Sequence, residues 1–222
     1  NKVISNTKDA AMVKRVGERI AKAAKLWLDT NGYPHYLDDY RWEYHLVDSP
    51  EVNAWCMPGG KIVVYTGILP ITQSETGLAV VMGHEVAHAL ADHGAQRMSA
   101  STLQQIGAYA GAIALQSSDY AKYTEQFMLA YGLGSNLGVM LPFSRSNETE
   151  ADAIGIQIMA IAGYDPSEAP ELWKRMSAKS GGGSSSALLS THPSNESRIK
   201  NLTSLVPKAR AEEDKFGVTS FK

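Results

Sequence analysis

Cysteine is almost absent: Cys56 is the only one in 222 residues. An intramolecular disulfide is therefore excluded, as is a structural zinc site built from several thiolates. An excess of one charge is also missing, because 21 basic and 23 acidic residues leave a formal net charge of -2. With no basic stripe and no interleaved aromatics, nothing draws the chain to DNA or RNA. No apolar run reaches the length of a membrane span, since Ile106–Leu115 is too short and Phe127–Phe143 is broken by Ser135, Asn136 and glycines. Both stretches read as buried helices or an apolar lining, with loose contact to a membrane surface left open. No leader-like apolar segment is present and the chain opens at Asn1 rather than Met, so it is read as a processed or trimmed form whose targeting region has been removed. What remains fits a single domain, residues 1–222, long enough for a substantial core.

What is present centres on His84-Glu85-Val86-Ala87-His88 inside the apolar run Gly77–Ala91. On a helix of 3.6 residues per turn the two imidazoles lie about 40° apart and project from one face, with Glu85 roughly 100° from His84. Two neutral imidazoles that can hold a metal, beside a carboxylate that can take a proton from the water it activates, are the working parts of a zinc hydrolase. The alternative is two ordinary helix histidines and a solvated acid. A helix otherwise made of Val, Ala, Leu and Met is a buried one, however, and three ionisable groups there are costly unless paired or bound to a metal.

Around this helix the chain reads as mostly helical α+β. Met12, Val13, Val16, Ile20, Ala23, Ala24 and Trp27 recur at helical spacing over Thr7–Asp29, and Asn31-Gly32 closes that helix. Trp42–Val47 alternates as a strand, which makes His45 a strand residue rather than a ligand. Asn53–Met57 and Lys61–Tyr65, joined through Pro58-Gly59-Gly60, read as a hairpin, so a small antiparallel sheet precedes the histidine helix. An edge of that sheet could pair with an extended peptide, or be an ordinary edge; Asn53 and Ala54 are the substrate-binding candidates. Thr72-Gln73-Ser74-Glu75 matches a capping box for the histidine helix, and His93-Gly94 is read as its end, with His93 meeting the helix dipole and taking no part in metal binding.

A third ligand must come from elsewhere. Ser144–Asp152 opens a helix that runs to Gly163 and stops at Tyr164-Asp165-Pro166. Glu148 and Asp152, four residues apart, share a face: one can ligate while the other accepts the N–H of a ligating imidazole. Acids also suit a helix N-terminus, which accounts for Glu148 and Glu150 better than for Asp152, a turn further in. A packing helix follows over Ser167–Ser177, then a flexible glycine and serine loop at 180–186. His192 stands just before a short helix that begins at Pro193 or Ser194 and runs through Leu202 and Leu205, placed to swing over a cleft. Residues 211–222, with Glu212–Lys215, read as a solvated tail.

Taken together, Asn53–Gly60, His84–His88, Ser144-Arg145 with Glu148 and Ala151-Asp152, Ala162–Pro166, and His192-Pro193 with Arg198-Ile199 resemble the gluzincin metallopeptidases. That family includes the CAAX prenyl proteases, the bacterial heat-shock membrane proteases and their soluble periplasmic relatives, and the chain looks most like the soluble, often lipid-anchored branch of bacterial envelope proteases. The resemblance implies a zincin-like fold and one zinc ion held by His84, His88 and Glu148. It implies Asp152 behind the ligands, Arg198 pairing with a site carboxylate, and His192 facing the metal, either as oxyanion donor or as a resting fourth ligand. Expected, then, is an endopeptidase with Glu85 as base, acting on extended or misfolded polypeptides in the periplasm or at the outer-membrane periphery, near a membrane through an anchor outside this sequence. The competing expectation is a zinc-containing envelope chaperone or assembly factor with little turnover.

Overall fold

The computed structural model describes residues 2–180 and 187–218. Its elements run β1 (Lys2–Ile4), α1 (Lys8–Thr30), β2 (Glu43–Asp48), β3 (Ala54–Met57), β4 (Lys61–Tyr65), α2 (Leu69–Thr72), α3 (Glu75–Leu90), α4 (His93–Gln116), α5 (Thr124–Ser135), α6 (Leu141–Ile161), α7 (Glu168–Ser180), α8 (Ala187–Thr191) and α9 (Glu196–Lys215). By its contacts the chain divides into two units, Asn1–Ala91 with Glu150–Lys222, and Asp92–Thr149.

The first unit holds the core. Thr7 caps α1 by accepting from the Ala10 amide, and Val13, Val16, Ile20, Ala24 and Leu28 form its buried stripe. The sheet has the order β1-β2-β4-β3. The expected β3–β4 hairpin is present, with Gly59 and Gly60 both at positive φ in the turn. β2 pairs with β4 in parallel, however, so the sheet is mixed rather than antiparallel. The chain leaves β2 and passes β4's place before turning back, which puts the hairpin's second strand in the interior and leaves β3 at an edge.

Helix α3 is buried on nearly every side: 13 of its 16 residues are enclosed. Its cap is Ser74, whose Oγ accepts from the Gly77 amide, and not Thr72. Thr72 belongs instead to α2, opened by Pro70, and the left-handed Gln73 separates the two helices. The other end also differs from expectation. Helix α3 stops at Leu90; Asp92 takes the left-handed conformation, at φ 52°, and His93 starts α4. A short polar side chain tolerates that conformation, so Gly94 was not needed there.

Gly83 on α3 and Gly155 on α6 let two backbones touch. A Cβ on Gly83 would stand 2.9 Å from the Gly155 carbonyl oxygen, and one on Gly155 would stand 2.9 Å from the His84 amide nitrogen. Neither neighbour is a movable side chain, so the helices would have to part. Gly155→Ala gains about 1 kcal/mol of helix propensity, against about 1–3 kcal/mol for overpacking. A net loss is expected, read as a lower urea midpoint with unchanged slope; a midpoint at or above the parent's would show that the crossing can open.

Two further expectations are corrected at the C-terminal end. Helix α9 is capped by Asn195, not started by Pro193 or Ser194, and its 20 residues continue past Pro207 to Lys215. The charged run is therefore helical, with Ala209 and Glu213 buried rather than solvated. Ser180 closes α7, while 181–186 and 219–222 lie outside the described residues.

In the second unit α4 packs on α5: Tyr131 lies over Gly107 and Phe127 over Gly111, while Gln104 donates to Ser135. Leu103, Ile106, Ile113, Leu129 and Leu133 are each more than half exposed, so these are not the buried helices the sequence suggested. Two helices one layer deep bury only the face they share. Among the described residues no helix is long and apolar enough to cross a membrane.

Candidate metal centre

Three histidine rings converge at the middle of α3. His84 Nε2 lies 3.1 Å from His88 Nε2 and 3.2 Å from His192 Nδ1. Helix α3 supplies the first pair, one turn apart; the turn between α8 and α9 supplies His192, whose amide donates to the Leu188 carbonyl. One donor atom each from His84, His88, Glu148 and His192 falls within 4.8 Å of the others. Glu148 is carried by α6, an unbroken helix, one turn before Asp152. His45 is elsewhere, bound to Glu43 at 3.0 Å, and His93 begins α4.

The protonation pattern shows why the group suits a cation. His84 Nδ1 is 3.0 Å from Asp152 Oδ1. An ionised carboxylate only accepts, so Nδ1 carries the proton and Nε2 presents a lone pair to its neighbours. With their protons on the far ring nitrogens, His88 Nε2 and His192 Nδ1 would add two more lone pairs, and three lone pairs this close repel unless a positive charge lies among them. Nitrogens bound tetrahedrally to one zinc at about 2.0–2.1 Å stand roughly 3.3–3.4 Å apart, close to the spacing here. The residues fit such an ion.

Behind His84 lies a closed ion pair. Arg198, on α9, donates from Nε to Asp152 Oδ2 at 2.8 Å and from Nη2 to Oδ1 at 2.7 Å, and from Nη1 to the Pro193 carbonyl at 3.2 Å. Burial pushes the Asp152 carboxyl up, but the hydrogen bond from His84 and the charge of Arg198 outweigh it and hold the group below its ordinary value. The expected pairing of Arg198 with a carboxylate is thus seen, and its partner is Asp152.

Glu85, 5% exposed, sits beside the rings, with Oε1 3.6 Å from His192 Nε2. Cys56 is close enough to feel its charge; burial first, and Glu85 second, push the thiol up to about 12. At the sheet edge, the Asn53 carbonyl accepts from Tyr65 of β4, so by strand alternation the peptide of Ala54 points to the free side and that of Asn53 does not. The carbonyl of Val52, also on that side, takes the Leu188 amide at 3.2 Å.

Sequence reasoning missed Trp173 and Ser194. The Arg198 guanidinium lies over the Trp173 ring, 3.5 Å from its centroid. Ser194 Oγ donates to the Trp173 carbonyl and accepts from Ser177 Oγ, tying the turn after His192 to α7. Trp173 sits at a packing interval of α7, and nothing in that spacing distinguishes a core ring from one facing a charge.

The family model for peptidase family M48 matches residues 7–206. Curated relatives include the mitochondrial metalloendopeptidase OMA1 of Schizosaccharomyces pombe, 38% identical over 80% of this chain and 50% of its own length. The protein of the same name from Saccharomyces cerevisiae is 36% identical over 78% of this chain and 49% of its own. The beta-barrel assembly-enhancing protease of Escherichia coli is 30% identical over 70% of this chain and 32% of its own. The chain thus spans half or less of the length of these relatives.

Proposed function

The chain belongs to peptidase family M48, and from that premise we propose that it is a zinc-dependent endopeptidase cutting extended or misfolded polypeptides in protein quality control. The observation that carries this reading is the convergence of three imidazole nitrogens, one of them oriented by Asp152, next to the enclosed carboxylate of Glu85. When bound, zinc supplies a Lewis acid for the scissile carbonyl and brings a water within reach of deprotonation at neutral pH.

The chain's own groups do the rest. His84, His88 and Glu148 would hold the ion, and Asp152 keeps the His84 proton on Nδ1 so that Nε2 is left to bind it. Glu85 takes the proton of the attacking water on a carboxylate oxygen and delivers it to the departing amine nitrogen. His192 faces the same space and can donate an N–H to the developing oxyanion; in a resting chain the same ring can close the ligand set. Substrate pairs with the free side of β3 through the peptide of Ala54, the side chain of Asn53 lying next to it. Because Leu188 already occupies Val52, a bound peptide begins at Ala54 or displaces α8.

The mitochondrial names of the yeast relatives and the bacterial source of the third leave two addresses open to this chain, of which the bacterial envelope agrees with the resemblance in sequence. The test of activity is a digest. Purified chain should contain about one zinc per molecule and cut a permanently unfolded protein. Chelation should abolish cutting, and added zinc should restore it. Undiminished cleavage by metal-free chain would overturn the reading; unfolded protein held but left uncut would move it to the chaperone alternative.

A further inference from the structure

The ion pair behind His84 is clamped on a side that the ligand set does not explain. Arg198 is 8% exposed and Trp173 2%, so the guanidinium has almost no access to water. Its edges are turned to Asp152 and the Pro193 carbonyl, and Nη2 also lies 3.4 Å from His84 Nδ1 and 3.3 Å from His84 Nε2. Its face is covered by the indole at 3.5 Å, in the position where a ring's negative face replaces lost hydration. The same indole meets the His84 imidazole edge-on, with centroids 5.7 Å apart and planes at 71°. One side chain of α7 therefore touches both a metal-ligand candidate and the cation that anchors its carboxylate partner.

We propose that Trp173 is a positioning residue for the metal: by fixing the plane of Arg198 it fixes the Asp152 carboxylate, and through it the direction of the His84 lone pair. A planar guanidinium bonded at its edges can still tilt about the line to its carboxylate, and a rigid ring on its face removes that freedom. His84 turns with the carboxylate, so a tilt would swing Nε2 away from His88. The indole N–H has no hydrogen-bond partner among the described residues. What Trp173 contributes is accordingly its ring, and an aromatic without that N–H should suffice.

This inference rests on the zinc reading, and the experiment separates the two. Zinc affinity of the chain is measured by competition with a chromophoric chelator, with apo-protein melting as a fold control and the visible spectrum of the cobalt-loaded chain as a report of ligand geometry. Wild type should bind one zinc; if it binds none, the zinc reading itself fails. Trp173→Met, flexible and apolar but smaller and without a ring, should weaken zinc binding about 10-fold or more, the usual size for loss of an outer partner of a ligand, and alter the cobalt spectrum. Trp173→Phe should stay within about 3-fold of wild type, a bound set by the retained ring face. A folded Met variant with wild-type affinity, or Phe and Met variants equally weakened, would overturn the proposal. Should the Met variant fail to fold, Arg198→Lys decides: an ammonium keeps the charge but gives the ring no plane to fix, so zinc affinity should fall about 10-fold or more, and a folded Lys variant with wild-type affinity would overturn the proposal.

Discussion

Glu85→Gln is expected to keep its zinc while losing about 10²- to 10⁴-fold in kcat, the range that a positioned proton-transfer group contributes. The amide has nearly the shape of the carboxylate, so α3 should pack unchanged around a site where Glu85 is 5% exposed. It cannot accept the proton of an attacking water, and the step it serves is lost while the imidazoles keep their ion. Metal content, KM and the apo-protein melting curve should therefore match the parent, and only turnover should fall. Wild-type cleavage by a fully zinc-loaded variant would remove Glu85 from the mechanism. Equal loss of zinc and activity would instead make it a support of the ligand set.

How much of this was legible beforehand follows from which interactions are local. The His84–His88 pair is separated by one helical turn, so spacing alone places both rings on one face. The β3–β4 hairpin is similarly local: Pro58-Gly59-Gly60 encodes its turn, and the strands follow. The parallel pairing of β2 with β4 is not local, and alternation along Trp42–Val47 says nothing about which neighbour or which direction. Helix ends were misplaced where the residue expected to matter had a better-suited neighbour: Ser74 rather than Thr72, Asp92 rather than Gly94.

The same distinction runs through the site. Motif residues carried the acids and imidazoles because their chemistry requires those side chains. The packing helix α7 contributed Trp173 and Ser177, whose roles depend on what they meet across the fold and leave no periodic trace. The apolar stretches of α4 and α5 misled for a related reason. Hydropathy reports what a side chain would gain from burial, not whether a second layer exists to bury it, and within their unit these helices have one shared face.

Asp152→Ala should produce the largest loss of stability. The substitution leaves Arg198 buried with its charge uncompensated, a situation that costs about 3–5 kcal/mol when one partner of a buried pair is removed. It also releases the His84 tautomer, so zinc affinity should fall about 10- to 100-fold. The two effects can be separated by urea unfolding in excess chelator, where only the ion pair contributes. Under those conditions the pH dependence has a defined sign. Asp152 is held below its ordinary value in the fold, so its contribution is complete above the unfolded carboxyl's range and is lost as pH falls through the lower folded value. The gap in unfolding free energy between parent and variant should accordingly be widest near neutrality and shrink in strong acid. Replacing Arg198 as well, in Asp152→Ala/Arg198→Met, removes the stranded charge. It should recover much of the stability without recovering zinc affinity, because two apolar groups cost less than one unpaired ion but cannot orient an imidazole. A double variant no more stable than Asp152→Ala would mean that the loss comes from the cavity left by the carboxylate, and that the guanidinium is held well enough by the Trp173 ring and the Pro193 carbonyl alone.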